Sequence, residues 1–261
     1  MDRLMCVQLQ SSGPAVELAI NGLPVLRLPP GAPPRCLPVH EYLLAGTNRL
    51  SLTVGPSPVS LEHLPGQPQL ADKGQAAQAR LLLLRQGHTP EAQGARELAV
   101  LNWAAAKGEA WTAPTQVQQN VELPVAFPRW RWLDAPVMTP SPALTATVLA
   151  WLQRLAFELS KGRPEGLLTS SRLRLEELTL AYQWPIGYAA DRLKAELQTQ
   201  FETGALAALQ VPKPNDLVLR PVAGSRLLDC LTPLGEPILQ LPTAHWPLRV
   251  AVVEGNVYVL R

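Results

Sequence analysis

Little in this sequence announces chemistry. Three cysteines in 261 residues, Cys6, Cys36 and Cys230, are odd in number and widely spaced. That argues against a disulfide framework and for buried thiols. Basic and acidic residues number 23 and 21, a net charge of +2, and no Lys/Arg run concentrates it, so the field that draws a chain to nucleic acid is missing. No stretch approaches the ~20 apolar residues of a membrane span, and MDRLMCVQLQ lacks the basic start and apolar core of a signal peptide. These absences predict a cytoplasmic location. GxSxG, GxGxxG, a Walker loop, HExxH and CxxC are all absent, and each would have placed a nucleophile, a phosphate cradle or a metal. The histidines, His40, His63, His88 and His245, show no ligand spacing, so they read as surface or loop residues and neither a metal nor another cofactor is expected.

What is present is the composition of a folded protein, 47% hydrophobic and 17% charged, enough apolar side chain to offset the entropy of ordering. The 27 prolines are spread through both halves and act as punctuation rather than as a repeat. They gather once, in PVAFPRWRWLDAPVMTPSP (Pro124 to Pro142), where five prolines deny backbone donors to helix and sheet alike. Apolar residues come in short runs before this stretch and at helical spacing after it. The expected division is a β-sandwich over residues 1–126, a Pro/Trp-rich linker over 127–142 and an α+β domain over 143–261.

In the first part LMCVQLQ, AVELAI, PVLRL, NRLSLTV, ARLLLLRQ, ELAVLNW and VQQNVELPV read as strands separated by turn residues. Asn21-Gly22 is the strongest turn, since both residues tolerate positive φ as a two-residue hairpin requires. Seven or eight strands with no strong helix between them predict an antiparallel sandwich. Ser57 to Gln78 reads as a long surface loop containing His63, and Gly87 to Gly94 as a shorter one. WAAAKGEAW (Trp103 to Trp111) fits either a helical turn or a hairpin end.

AINGLPVLRL and the later PVHEYLLAGTNRLSLTV together resemble the galactose-binding-like β-sandwich that accompanies many bacterial glycosidases. The matching residues are Asn21, Gly22, Tyr42, Leu43, Gly46, Asn48, Leu50, Leu52 and Val54, all of them scaffold positions. The resemblance implies a sandwich fold and raises a carbohydrate-binding module as one function.

Beyond the seam, Ser141 and Pro142 begin a helix whose face carries Leu144, Val148, Trp151, Leu152, Leu155 and Leu159, closed by Lys161-Gly162. Ser171 to Tyr182 reads as a second helix, although its leucines also fit an alternating strand. Ala189, Leu193, Leu197 and Phe201 mark a third, ended by Gly204. DLVLRPV, RLLDCL, PILQL, LRVAVV and NVYVLR then form an antiparallel meander with its clearest hairpin at Glu254-Gly255-Asn256. This order of helices and strands over about Ser141 to Arg261 resembles the NTF2-like fold, a curved sheet around a pocket. Some members of that fold move protons with an acid and a tyrosine, which makes Tyr182, Tyr188, Asp191 and Asp229 the catalytic candidates. The plainer reading leaves Asp191 as a first-turn anion on the helix dipole.

The seam carries the binding candidates. Arg129-Trp130-Arg131-Trp132 alternates guanidinium with indole, the residue types richest in binding hot spots. The plainer reading, and the one favoured, is that both tryptophans glue one domain to the other. With charge balanced and catalytic motifs absent, the sequence points away from an enzyme and toward a protein that binds another protein. One concrete form is a bacterial accessory or immunity-type protein acting on a secreted effector. The alternatives are a small-ligand site or enzyme in the C-terminal pocket and the carbohydrate-binding module.

Overall fold

A computed structural model describes residues 3–57, 66–85, 87, 95–125, 127–241 and 245–261. It is mixed, with about 40% strand and 26% helix. The chain divides into two compact units, the first reaching Arg129 and the second beginning at Trp130.

Ten strands are described in the first unit: β1 (Arg3–Ser12), β2 (Val16–Ile20), β3 (Leu23–Leu28), β4 (Arg35–Pro38), β5 (Gly46–Val54), β6 (Gln67–Leu70), β7 (Gln75–Arg85), β8 (Arg96–Ala105), β9 (Ala110–Ala113) and β10 (Thr115–Leu123). They form two four-stranded antiparallel sheets, ordered β4-β1-β7-β8 and β10-β5-β2-β3, and a ribbon of β6 with β9. Val7, Leu9, Ala79, Leu81 and Leu101 are buried on the first sheet, and Leu18, Ile20, Leu50, Leu52 and Val54 on the second. Period-2 alternation turns such residues to one face.

Asn21 and Gly22 form the two-residue loop between β2 and β3 at φ 53° and 77°, the left-handed pair that a type I′ turn needs. Asn21 does more than turn the chain. Its Nδ2 donates to the Tyr42 carbonyl and to Asn48 Oδ1, both at 2.9 Å, and its Oδ1 accepts from Arg49 N at 3.0 Å. Asn48, fully buried, returns two Nδ2 bonds to the Leu44 and Gly46 carbonyls and accepts from Leu44 N at 2.7 Å. The residues of the Asn-Gly and Tyr-Leu-Gly-Asn phrase are therefore one hydrogen-bonded lock.

Several expectations change. The latter half of the Ser57-to-Gln78 loop is β6 and the start of β7; β6 is exposed throughout, so it has no hydrophobic period to betray it. Residues 58–65, with His63, and 88–94, with His88, lie outside the described residues. Trp103 to Trp111 is the end of β8 and the start of β9, with Trp103 and Trp111 edge to face at 4.9 Å. His40 is not a surface residue: it is buried, its Nε2 accepts from Met5 N at 2.7 Å, and its ring meets Phe127 at 5.4 Å. The thiols of Cys6 and Cys36, distant in sequence, lie in one apolar cluster across β1 and β4.

The second unit has four α-helices among its described residues, where three were expected. They are α1 (Pro142–Ser160), α2 (Glu165–Ser170), α3 (Arg172–Ala181) and α4 (Tyr188–Glu202). Ser141 caps α1 by accepting from Leu144 N at 3.2 Å. The added helix, α2, is six residues long, too short for a periodic signal. Six strands follow: β11 (Val218–Val222), β12 (Leu227–Leu231), β13 (Leu239–Gln240), β14 (His245–Trp246), β15 (Arg249–Val253) and β16 (Asn256–Val259). The larger sheet is antiparallel in the order β11-β12-β15-β16, and β13 pairs with β14.

The seam is not a free linker over 127–142. Trp130 and Trp132 are buried, Met138 N donates to the Ser225 carbonyl at 2.8 Å, and Arg226 donates to the Ala135 carbonyl at 2.5 Å. Prolines bar a long helix or strand there and leave a single 3-10 turn over Arg131–Asp134, while other donors find partners in the second unit.

Candidate functional site

The feature of the second unit that calls for explanation is the connection from α3 to α4, Tyr182-Gln183-Trp184-Pro185-Ile186-Gly187. The α3 helix ends in a Schellman motif. Gln183 takes φ 52°, Trp184 N donates to the Thr179 carbonyl at 2.9 Å, and Gln183 N donates to the Leu180 carbonyl at 3.3 Å. A second turn follows at once, with Tyr188 N donating to the Pro185 carbonyl at 3.1 Å and Gly187 at φ 84° and ψ −18°. That is the third position of a type II turn, where a side chain is strained. Ile186 occupies the tip and is 100% exposed.

Large apolar side chains gather around this tip. Trp184 stacks on Tyr182 at 4.9 Å and 23°, and meets Tyr188 at 5.2 Å. The Arg192 guanidinium lies 6.0 Å from the Trp184 ring centroid, at the outer limit of a cation–π contact. Leu180 is 62% exposed and Tyr188 44%. Beside them runs a groove of about 300 Å³ lined by Leu168, Leu175, Thr179, Leu180, Ile186 and Ala190. Arg172 and Glu176 form its charged wall, paired at 2.8 Å. Isolated exposed apolar residues are ordinary; a contiguous cluster bordering an apolar groove is not.

The four catalytic candidates do not form a proton-transfer set. Asp229, on β12, is buried between Arg220 at 3.0 Å and Arg249 at 3.5 Å, a structural ion cluster. Tyr182 and Tyr188 do come together, but around Trp184, with Tyr182 half-buried and Tyr188 exposed. Asp191 is exposed in the first turn of α4, where the helix dipole favours an anion.

The seam tetrad is divided as well. Trp130 and Trp132 are buried, and the Arg261 guanidinium lies 5.5 Å from the Trp130 ring centroid, so neither indole offers a surface. Arg129 is exposed at the end of the first unit. Arg131 reaches the groove: its Nη2 pairs with Glu176 at 3.1 Å. Its backbone N–H donates to Glu177 Oε1 at 2.5 Å, while Glu177 Oε2 accepts from Arg261 Nη1 at 2.5 Å.

Sequence reading missed Leu180, Ile186 and Arg192 as a surface. Their signal was the tetrapeptide Trp184-Pro185-Ile186-Gly187, an isoleucine placed between a proline and a glycine where a loop ordinarily carries a polar residue. Trp184 centres the half-buried aromatic cluster. Among the described residues no group of three or more His, Cys, Asp or Glu is placed to hold a metal ion, and no helix is long and apolar enough to cross a membrane. No family model matches the chain, nor does any curated protein or solved structure.

Proposed function

We propose that this chain is a non-enzymatic protein-binding module that docks an apolar segment of a partner protein in the groove between α3 and α4, with Ile186 and the Tyr182-Trp184-Tyr188 cluster as anchors. The single observation that carries the reading is the fully exposed Ile186 beside an apolar groove. Trp, Tyr and Arg at its border are the side chains that supply most of the energy at interfaces. A cytoplasmic bacterial accessory or immunity-type role fits such a module. We read its two parts as a galactose-binding-like sandwich followed by an NTF2-like α+β domain, scaffolds that can present a recognition surface whether or not they carry chemistry.

The test is affinity purification of wild type and Ile186→Asp from native cells. Because Ile186 is fully exposed, the substitution leaves stability within about 0.5 kcal/mol. Loss of the burial of one isoleucine weakens a partner at least about tenfold. A stoichiometric polypeptide retained by wild type and by an Asn102→Ala control but lost from Ile186→Asp supports the reading. Equal retention by Ile186→Asp, or recovery of wild type alone, refutes it.

A second reading, carbohydrate binding, draws on a cleft of about 490 Å³ on the first unit. Gln10, Gln78 and Asn102 stand in register there across β1, β7 and β8, hydrogen-bonded at 3.1 and 2.9 Å. A row of amides suits sugar hydroxyls, and thermal shift with oligosaccharides tests it.

A further inference from the structure

We propose that Cys6 and Cys36 form a modification site, a dithiol that a small-molecule disulfide oxidises to an intramolecular disulfide, tying β4 to β1. Two observations place the two sulfurs together. In the β1–β4 register Cys6 pairs with Pro38 and Cys36 with Gln8, so the cysteines flank the Val7–Leu37 pair diagonally and turn to the same face. Both belong to one small apolar cluster with Leu4, Leu82, Leu84 and Ala95. The neighbouring Cys36 thiol first, and then burial, push the Cys6 thiol well above the ordinary thiol range, in keeping with that placement.

The pair is asymmetric in a way that orders the reaction. Cys6 is buried and Cys36 is half-buried on an edge strand. Cys36 loses its proton to solvent and its thiolate attacks one sulfur of the small disulfide RSSR. The first RS⁻ leaves and takes up a proton, and Cys36 is left as a mixed disulfide. Cys6 then loses its proton, attacks the Cys36 sulfur and expels the second RS⁻, which is protonated in turn. Two protein thiols and RSSR become one protein disulfide and two RSH, the two electrons passing to RSSR. Closing brings the sulfurs to about 2.0 Å. Strand β4 can supply that movement, because it is four residues long and paired on one side alone, with β1. Cys230, buried in the second unit, serves as an internal reference.

The experiment is incubation of the purified full chain with oxidised glutathione, followed by denaturing alkylation, intact mass and peptide mapping. The expected result is a mass loss of about 2 Da before alkylation, a Cys6–Cys36 linked peptide, and Cys230 as the one alkylated cysteine. Because the bond closes a loop of some thirty residues, the first unit's transition rises by about 10 °C and returns on reduction. Cys36→Ser abolishes both changes. A stable glutathione adduct on Cys36 with Cys6 still alkylated, or three alkylated cysteines after full oxidation, overturns the proposal.

Discussion

Removing the Glu177 carboxylate is the sharpest test of how the second unit is held. Glu177 is a buried acid on α3, and both of its oxygens are engaged at 2.5 Å, one by Arg261 Nη1 and the other by Arg131 N–H. Arg261 is itself buried to 1% exposure against Trp130. Truncation to Glu177→Ala leaves a guanidinium in apolar surroundings with no counter-ion, which costs about 3–5 kcal/mol. For a unit of this size that lowers its melting transition by roughly 10–20 °C. Replacing both ions with apolar side chains of similar volume, Glu177→Leu with Arg261→Met, removes the desolvation cost along with the attraction and should restore most of the loss. Differential scanning calorimetry of wild type, Glu177→Ala, Glu177→Leu, Arg261→Met and the double variant completes the cycle. A Glu177→Ala cost below about 1 kcal/mol, or a double variant no more stable than the single, would refute the reasoning.

Two further outcomes follow from buried polar groups. Asn48→Ala deletes four hydrogen bonds in the Asn21 lock and should cost the first unit about 3 kcal/mol in urea unfolding, at unchanged m-value. Burial first, and then the neighbouring Asp229, raise the Cys230 thiol, with Arg249 opposing them. The unfolded chain therefore releases this proton before the folded one does. Stability from Cys230 is fully present below the unfolded thiol pKa of about 8.5 and falls by about 1.4 kcal/mol per pH unit above it. Cys230→Val should flatten that slope in thermal melts between pH 8 and 10.

How much was legible in the sequence differs by element. The Asn21-Gly22 hairpin was, because the two-residue loop demands positive φ and few residue types tolerate it. The α1 helix was equally plain, since Ser141 caps it and its buried face repeats at helical spacing. By contrast α3 read ambiguously, because a charged residue, Glu177, occupies one of its inward positions and breaks the apolar period. Strand β6 was unreadable for the opposite reason: all its residues are exposed, so no period exists. In the candidate site, Tyr182 and Tyr188 were singled out for proton transfer, yet what joins them is Trp184, placed between them by a left-handed Gln183 and a type II turn.

Taken alone, the sequence determined the longer strands, the strongest turns, two of the helices and the balanced charge, because each rests on local periodicity, backbone freedom or composition. Only the tertiary structure decided that Trp130 and Trp132 are buried while Ile186 is bare, that Arg131 pairs with Glu176 of the groove wall, and that Cys6 and Cys36 share one apolar cluster. Each of those outcomes depends on which strands pair and which helices pack, and therefore on contacts between residues far apart in the chain, which no local pattern encodes.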